Sequence, residues 1–127
     1  MKNIFKLLGI VILIILVGFT VLSLFVKYQE SKYTKAGYYV GNTHSDALYV
    51  ANLAVETEDP TKCDKIKLFN GWMISEEDLK NSCYADFIKL NTAESACASV
   101  PQIQSTGYTN INAEYCKQQA KINQASR

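Results

Sequence analysis

The first pattern along the chain is a long apolar block. Residues 7–26, LLGIVILIILVGFTVLSLFV, carry no charge and are polar only at Thr20 and Ser23. Twenty residues at helical rise cover about 30 Å, the thickness of a bilayer's hydrocarbon core. A helix in a soluble core would keep a polar stripe, and this block has none. The pattern predicts a transmembrane helix after a short tail, residues 1–6. Secretory signals have a shorter apolar region, roughly 7–15 residues, followed by a small-x-small cleavage site. Here the run is longer and ends Ser23-Leu24-Phe25-Val26-Lys27-Tyr28, so an uncleaved signal-anchor is expected.

Residues 27–43 form a juxtamembrane segment with Tyr28, Tyr33, Tyr38 and Tyr39. Tyr28 beside Lys27 suits the headgroup boundary. Tyr38 and Tyr39 are candidates for packing on the domain or for partner contact. Gly37 and Gly41 flank that pair and are expected to end the helix that continues from the anchor.

Beyond residue 43 the helical period returns. Thr43 or Ser45 is positioned to cap a helix running to about Thr57, with Leu48, Ala51, Ala54 and Val55 inward. Asp59-Pro60 opens another, because Asp caps well and Pro is tolerated at the first helical position. It is expected to hold Cys63, Ile66 and Phe69 and to stop at Asn70-Gly71. Ser75-Glu76-Glu77-Asp78 has the form of a capping box, followed by Leu79, Cys83, Phe87 and Leu90 at helical spacing. Thr92 is placed to cap a short helix with Cys97 and Val100. Residues 101–112 read as a loop, and 113–124 as a polar closing helix with Cys116, Ala120 and Ile122 inward. The fold class predicted is therefore all-α: one transmembrane helix, then a small disulfide-braced domain of helical hairpins over residues 44–127.

That domain repeats. At an offset of 34, Ala51 falls on Ala85, Leu53 on Phe87, Ala54 on Ile88, Cys63 on Cys97 and Ile66 on Val100, while Tyr49 stands where Cys83 stands. At 33 further on, Cys116 falls on Cys83. Periods in this range belong to stacked helical hairpins, here units of about 49–82 and 83–115 and a half-unit, 116–127.

Composition narrows the chemistry. With Lys2 and Lys6 taken from the 13 basic residues, 11 remain beyond the apolar block against 12 acidic ones, a net of −1, so nucleic acid is not an expected partner. Four cysteines at 63, 83, 97 and 116 form no close pair, and the chain has one histidine, His44. Zinc ligands normally come in close pairs, so a disulfide framework is expected instead. Of its three possible connectivities, Cys83–Cys97 would force Cys63 onto Cys116. Linking each unit to the next gives Cys63–Cys83 and Cys97–Cys116 with none left over. Antiparallel helices would set Cys63 and Cys83 at similar heights, about 10–12 Å from the intervening turn. Loops of this size contribute about 3 kcal/mol each in the chain-entropy relation.

The pattern Asp59-Pro60-x-x-Cys63-x-x-Ile66, then Cys83-Tyr84 and the spacing from Cys83 to Cys97, resembles tandem cysteine-containing helical repeats of membrane-anchored archaeal and related microbial proteins. The resemblance covers roughly residues 47–122 and implies no catalytic residues. Two positions depart from it: Tyr49 replaces a cysteine, and Ala93-Glu94 replaces Asp-Pro.

Candidate sites are sparse. His44, Ser45 and Asp46 are adjacent on a turn, whereas a nucleophile and base must converge in space. Glu56, Glu58 and Asp59 lack the alternating oxygen ligands of a calcium loop, and capping accounts for them better. Trp72, in a loop beside Met73, is a candidate plug on the core or a partner contact, since tryptophan is enriched at hot spots. No cofactor is implied. The function expected is non-enzymatic: a single-pass protein displaying a helical domain for protein–protein contact. A pilin-like filament subunit is the alternative, from Lys6, Gly9 and the apolar helix, though Ile14 stands where that class has glutamate. A small accessory subunit of a membrane complex is a third reading. Lysines on both sides of the block leave orientation to the cysteines, which place the amino terminus in the cytoplasm and the domain outside.

Overall fold

The computed structural model describes residues 1–69, 73–105 and 107–127. The chain divides into two compact units, Met1–Ala36 and Gly37–Arg127. Trp72 and the expected stop at Asn70-Gly71 lie outside the described residues.

The first unit is one helix, α1 (Lys2–Lys35), of 34 residues. Its most apolar 18-residue window has a mean hydropathy of 3.0, and none of that window is buried against protein. At 1.5 Å per residue the helix is about 50 Å long, more than a hydrocarbon core requires. The two hydroxyls within the apolar block are satisfied internally: Thr20 donates to the Val17 carbonyl at 2.8 Å and Ser23 to Phe19 at 2.9 Å. Lys32 and Lys35 lie in the last turn, where cations suit the helix dipole. Gly37, at φ 83°, then breaks the helical path.

The second unit runs β1 (Tyr39–Gly41), α2 (His44–Glu56), a 3-10 helix (Pro60–Lys65), β2 (Ile66–Leu68), α3 (Glu76–Leu90), a second 3-10 helix (Glu94–Ser99), β3 (Ile103–Ser105), β4 (Tyr108–Ile111) and α4 (Ala113–Ala125). It is mostly helical, as the pattern predicts, with two small ribbons added. β1 and β2 pair in parallel, Tyr39 opposite Ile66 and Gly41 opposite Leu68, so α2 and the first 3-10 helix form the crossover between them. β3 and β4 pair antiparallel, Ile103 opposite Ile111.

The expected capping box forms, and so does a second one at α2. Thr43 and Asp46 close the start of α2, and Ser75 and Asp78 close the start of α3. Gly41 does not end a helix. It lies in β1, where a Cβ would come within 2.9 Å of Asp46 Cβ, so the box packs directly on the strand. α3 is central and packs against α2, α4 and the first 3-10 helix. Its burial extends to polar Asn81 and Ser82.

Several expected details differ. The Asp59-Pro60 segment makes six residues of 3-10 helix instead of an α-helix to Asn70, because Ile66 leaves it to pair with Tyr39. The segment read as a loop holds the β3–β4 ribbon. Thr92 caps nothing: Ala93 stands at the N-cap of the second 3-10 helix, without a side-chain cap. Leu48, Leu90 and Ile122, expected inward, are 42%, 38% and 58% exposed. In α2 the buried stripe is Ala47, Val50, Ala51 and Ala54, which rotates Leu48 outward.

Candidate functional site

The positions richest in chemistry are the four cysteines, and all four are bonded and fully buried. Cys63 joins Cys83, with Cα atoms 5.6 Å apart. Cys97 joins Cys116 at the same Cα separation. Each bond runs from the 3-10 helix of one unit to the α-helix of the next. The 3-10 helices coincide under the 34-residue offset: Pro60 falls on Glu94 and Lys65 on Ser99. The α-helices before them end on corresponding residues too, Thr57 and Asn91.

Different side chains build the two equivalent turns. At the first, Asp59 accepts from the Thr61 N–H at 3.1 Å and from its hydroxyl. The Thr61 hydroxyl is the leading cause that holds the Asp59 carboxyl below its usual value. At the second, Ala93 has no such group, and Asn91 substitutes for it. Its Oδ1 accepts from Ala93 N–H at 3.0 Å while its Nδ2 donates to the Ala93 carbonyl at 2.8 Å. Asn123 of α4 donates to the Lys89 carbonyl at 2.9 Å and to that of Asn91 at 2.8 Å, tying α4 to the end of α3. Sequence reading passed over Asn91 and Asn123. The available signal was an Asn at the end of a helical pattern, a residue that readily binds nearby backbone.

A polar cluster fastens β2 to its neighbours. Glu76 accepts from Leu68 N–H at 3.2 Å and pairs with Lys80 at 3.1 Å and Lys67 at 3.4 Å. Burial would raise its carboxyl, but Lys80, the Leu68 N–H and Lys67 outweigh that and lower it. Asn42 accepts from Phe69 N–H at 3.2 Å and donates its own N–H to Asp46 at 2.8 Å. That donation is the leading cause of Asp46 lying below its usual value.

The candidate contact residues have separate fates. Tyr38 is 37% exposed, with Lys67 Nζ 5.4 Å from its ring centroid, within cation–π range. Tyr39 is half-buried in β1 and packs against the core. Tyr49, the residue in the place of a cysteine, is 67% exposed. His44 Nδ1 lies 3.1 Å from Ser82 Oγ, a link between α2 and α3. Among the described residues, no three His, Cys, Asp or Glu side chains gather closely enough to hold a metal ion.

One core residue carries an unmet polar group. Tyr84 is 1% exposed, and its hydroxyl has no hydrogen-bond partner of good geometry among the described residues. Burial first, then the neighbouring Asp64 side chain, pushes its phenol upward.

Comparison with protein-family models, curated proteins and solved structures gives no match.

Proposed function

We propose that this is a single-pass, non-enzymatic membrane protein whose cytoplasmic amino terminus precedes an uncleaved anchor and whose second unit contacts another protein outside the membrane. The carrying observation is the 18-residue window of α1, with a mean hydropathy of 3.0 and no burial, followed by a separate unit with every cysteine in a disulfide. An apolar helix with no protein partner needs lipid, and disulfides persist on the oxidising side. The tandem-repeat resemblance belongs to the same proposal: stacked hairpins present extended surfaces suited to binding. The residues nominated are Tyr38 and Tyr49, whose exposed amphipathic rings give contact area and a polar end. The bilayer and one further protein are the partners, and no cofactor takes part.

A photo-crosslinking residue at Tyr38 or Tyr49, activated in native membranes, tests the reading. A discrete adduct of constant mass from each position is the expected result, and Tyr49→Asp should suppress the one formed from Tyr38. Crosslinks to lipid alone from both positions would overturn the contact role.

A further inference from the structure

The two disulfides occupy equivalent places in the repeat but have unequal surroundings. Thr57 and Asn91 correspond at the ends of α2 and α3. Thr57 turns its hydroxyl back to the Leu53 carbonyl at 2.7 Å. Asn91 is 1% exposed, and its Nδ2 lies 3.4 Å from Cys97 Sγ and 3.7 Å from Cys116 Sγ. An amide has two N–H groups. One serves the Ala93 carbonyl, which leaves the other for the sulfurs.

An N–H aimed at sulfur gains most when that sulfur carries a thiolate's charge. It therefore favours the reduced form, and a disulfide whose reduced form is stabilised is the easier to reduce. Packing acts in the same direction. α4 buries only Cys116 and Ala120, whereas α3 buries seven residues, Cys83 among them. Exposing the second bond costs the docking of α4, while exposing the first requires displacing a 3-10 helix packed on both α2 and α3, or α3 itself.

The geometry points to Cys97–Cys116 as a clasp that a dithiol opens and Cys63–Cys83 as a permanent staple. One thiolate of the reductant attacks a sulfur of Cys97–Cys116, and the S–S bond breaks. The second thiol then closes the reductant into its own disulfide, leaving two electrons on Cys97 and Cys116: one sulfur remains a thiolate facing the Asn91 amide, the other takes one proton as a thiol, and the second proton goes to solvent. α4 then loses its covalent link and is held to α3 only by its packing and by the Asn123 hydrogen bonds, which lets it open. α2, the first 3-10 helix and α3 stay joined through Cys63–Cys83.

The test uses the full chain in detergent, with limiting dithiothreitol at neutral pH, timed quenching by iodoacetamide and peptide mapping. Cys97 and Cys116 are expected to be alkylated at least about tenfold faster than Cys63 and Cys83, as local opening differs from opening the core. Equal rates, or the reverse order, overturn the assignment. Asn91→Ser removes the N–H that reaches the sulfurs while keeping a hydroxyl for the Ala93 backbone. In graded mixtures of reduced and oxidised dithiothreitol, it should shift the Cys97–Cys116 equilibrium toward the disulfide by about fivefold, the size of an ordinary hydrogen bond. A merely structural role for Asn91 would loosen α4 and shift the equilibrium toward thiols. That result, or no shift, overturns the role given to the amide.

Discussion

Replacing both partners of one disulfide, as in Cys63→Ala/Cys83→Ala, removes a covalent loop of sequence separation 20. In the chain-entropy relation a loop of that size contributes about 3 kcal/mol, by limiting the freedom of the unfolded chain. Both cysteines are fully buried, so alanine also leaves unfilled space in the packing between the first 3-10 helix and α3. A small domain has a total stability of about 5–15 kcal/mol, so the loss is a large fraction. For a unit spanning Gly37–Arg127 it corresponds to a fall in midpoint of roughly 12–24 °C. Thermal unfolding should be followed by near-ultraviolet circular dichroism, because α1 keeps its helical signal in detergent. Cys97→Ala/Cys116→Ala, with separation 19, should give a fall of similar size. A fall below about 5 °C in both double variants would refute the entropic argument.

Gly41→Ala should destabilise the second unit by about 1–3 kcal/mol, since its new methyl would meet Asp46 Cβ at 2.9 Å; denaturant midpoints check this. Tyr84→Phe should leave stability unchanged or raise it by up to about 1 kcal/mol, because it removes a buried hydroxyl with no good partner; a loss above that size in a denaturation series would show a hydrogen bond the geometry does not. The carboxyls of Asp46, Asp59 and Glu76 lie below their ordinary values of 3.8, 3.8 and 4.5, so their stabilisation is present above those values and is lost as pH falls through the lower folded ones. Thermal midpoints should stay level from pH 7 to about 5 and drop as pH falls below about 4.5, whereas a rise on acidification would contradict the assignment.

What could be read from the residues alone follows from how many positions carry each signal. α1 is legible because the whole of 7–26 says the same thing. The start of α3 is legible because Ser75 with Asp78 specifies a cap with two residues, while at α2 the sequence leaves Thr43 and Ser45 as alternatives and only the structure shows the Thr43–Asp46 box. The repeat aligned whole elements and reduced three connectivities to the pairing Cys63–Cys83 and Cys97–Cys116, the two bonds present in the structure. The ribbons were not legible. A strand of three residues, such as Ile66–Leu68, is too short to display a period of two, and its partner lies 27 positions away in sequence. The outward turn of Leu48, Leu90 and Ile122 was hidden for a related reason: helices rich in alanine and polar residues give a weak phase. In α3, contact with several neighbours buries Asn81 and Ser82 beside Cys83 and blurs the stripe further. Asn91 escaped notice because its role depends on where Ala93, Cys97 and Cys116 converge.

In the proposed arrangement one helix anchors the chain and the second unit lies outside the membrane. Protease added to intact cells, followed by mass spectrometry of the membrane-retained fragment, tests this most directly. The expected product is a protected fragment that begins with the uncleaved residues Met1–Lys6 and ends shortly after Lys35, with the second unit digested once its disulfides are reduced. A second unit still protected under those conditions in intact cells, and digested only after the membrane is breached, would contradict it, as would a mature chain that has lost the apolar block.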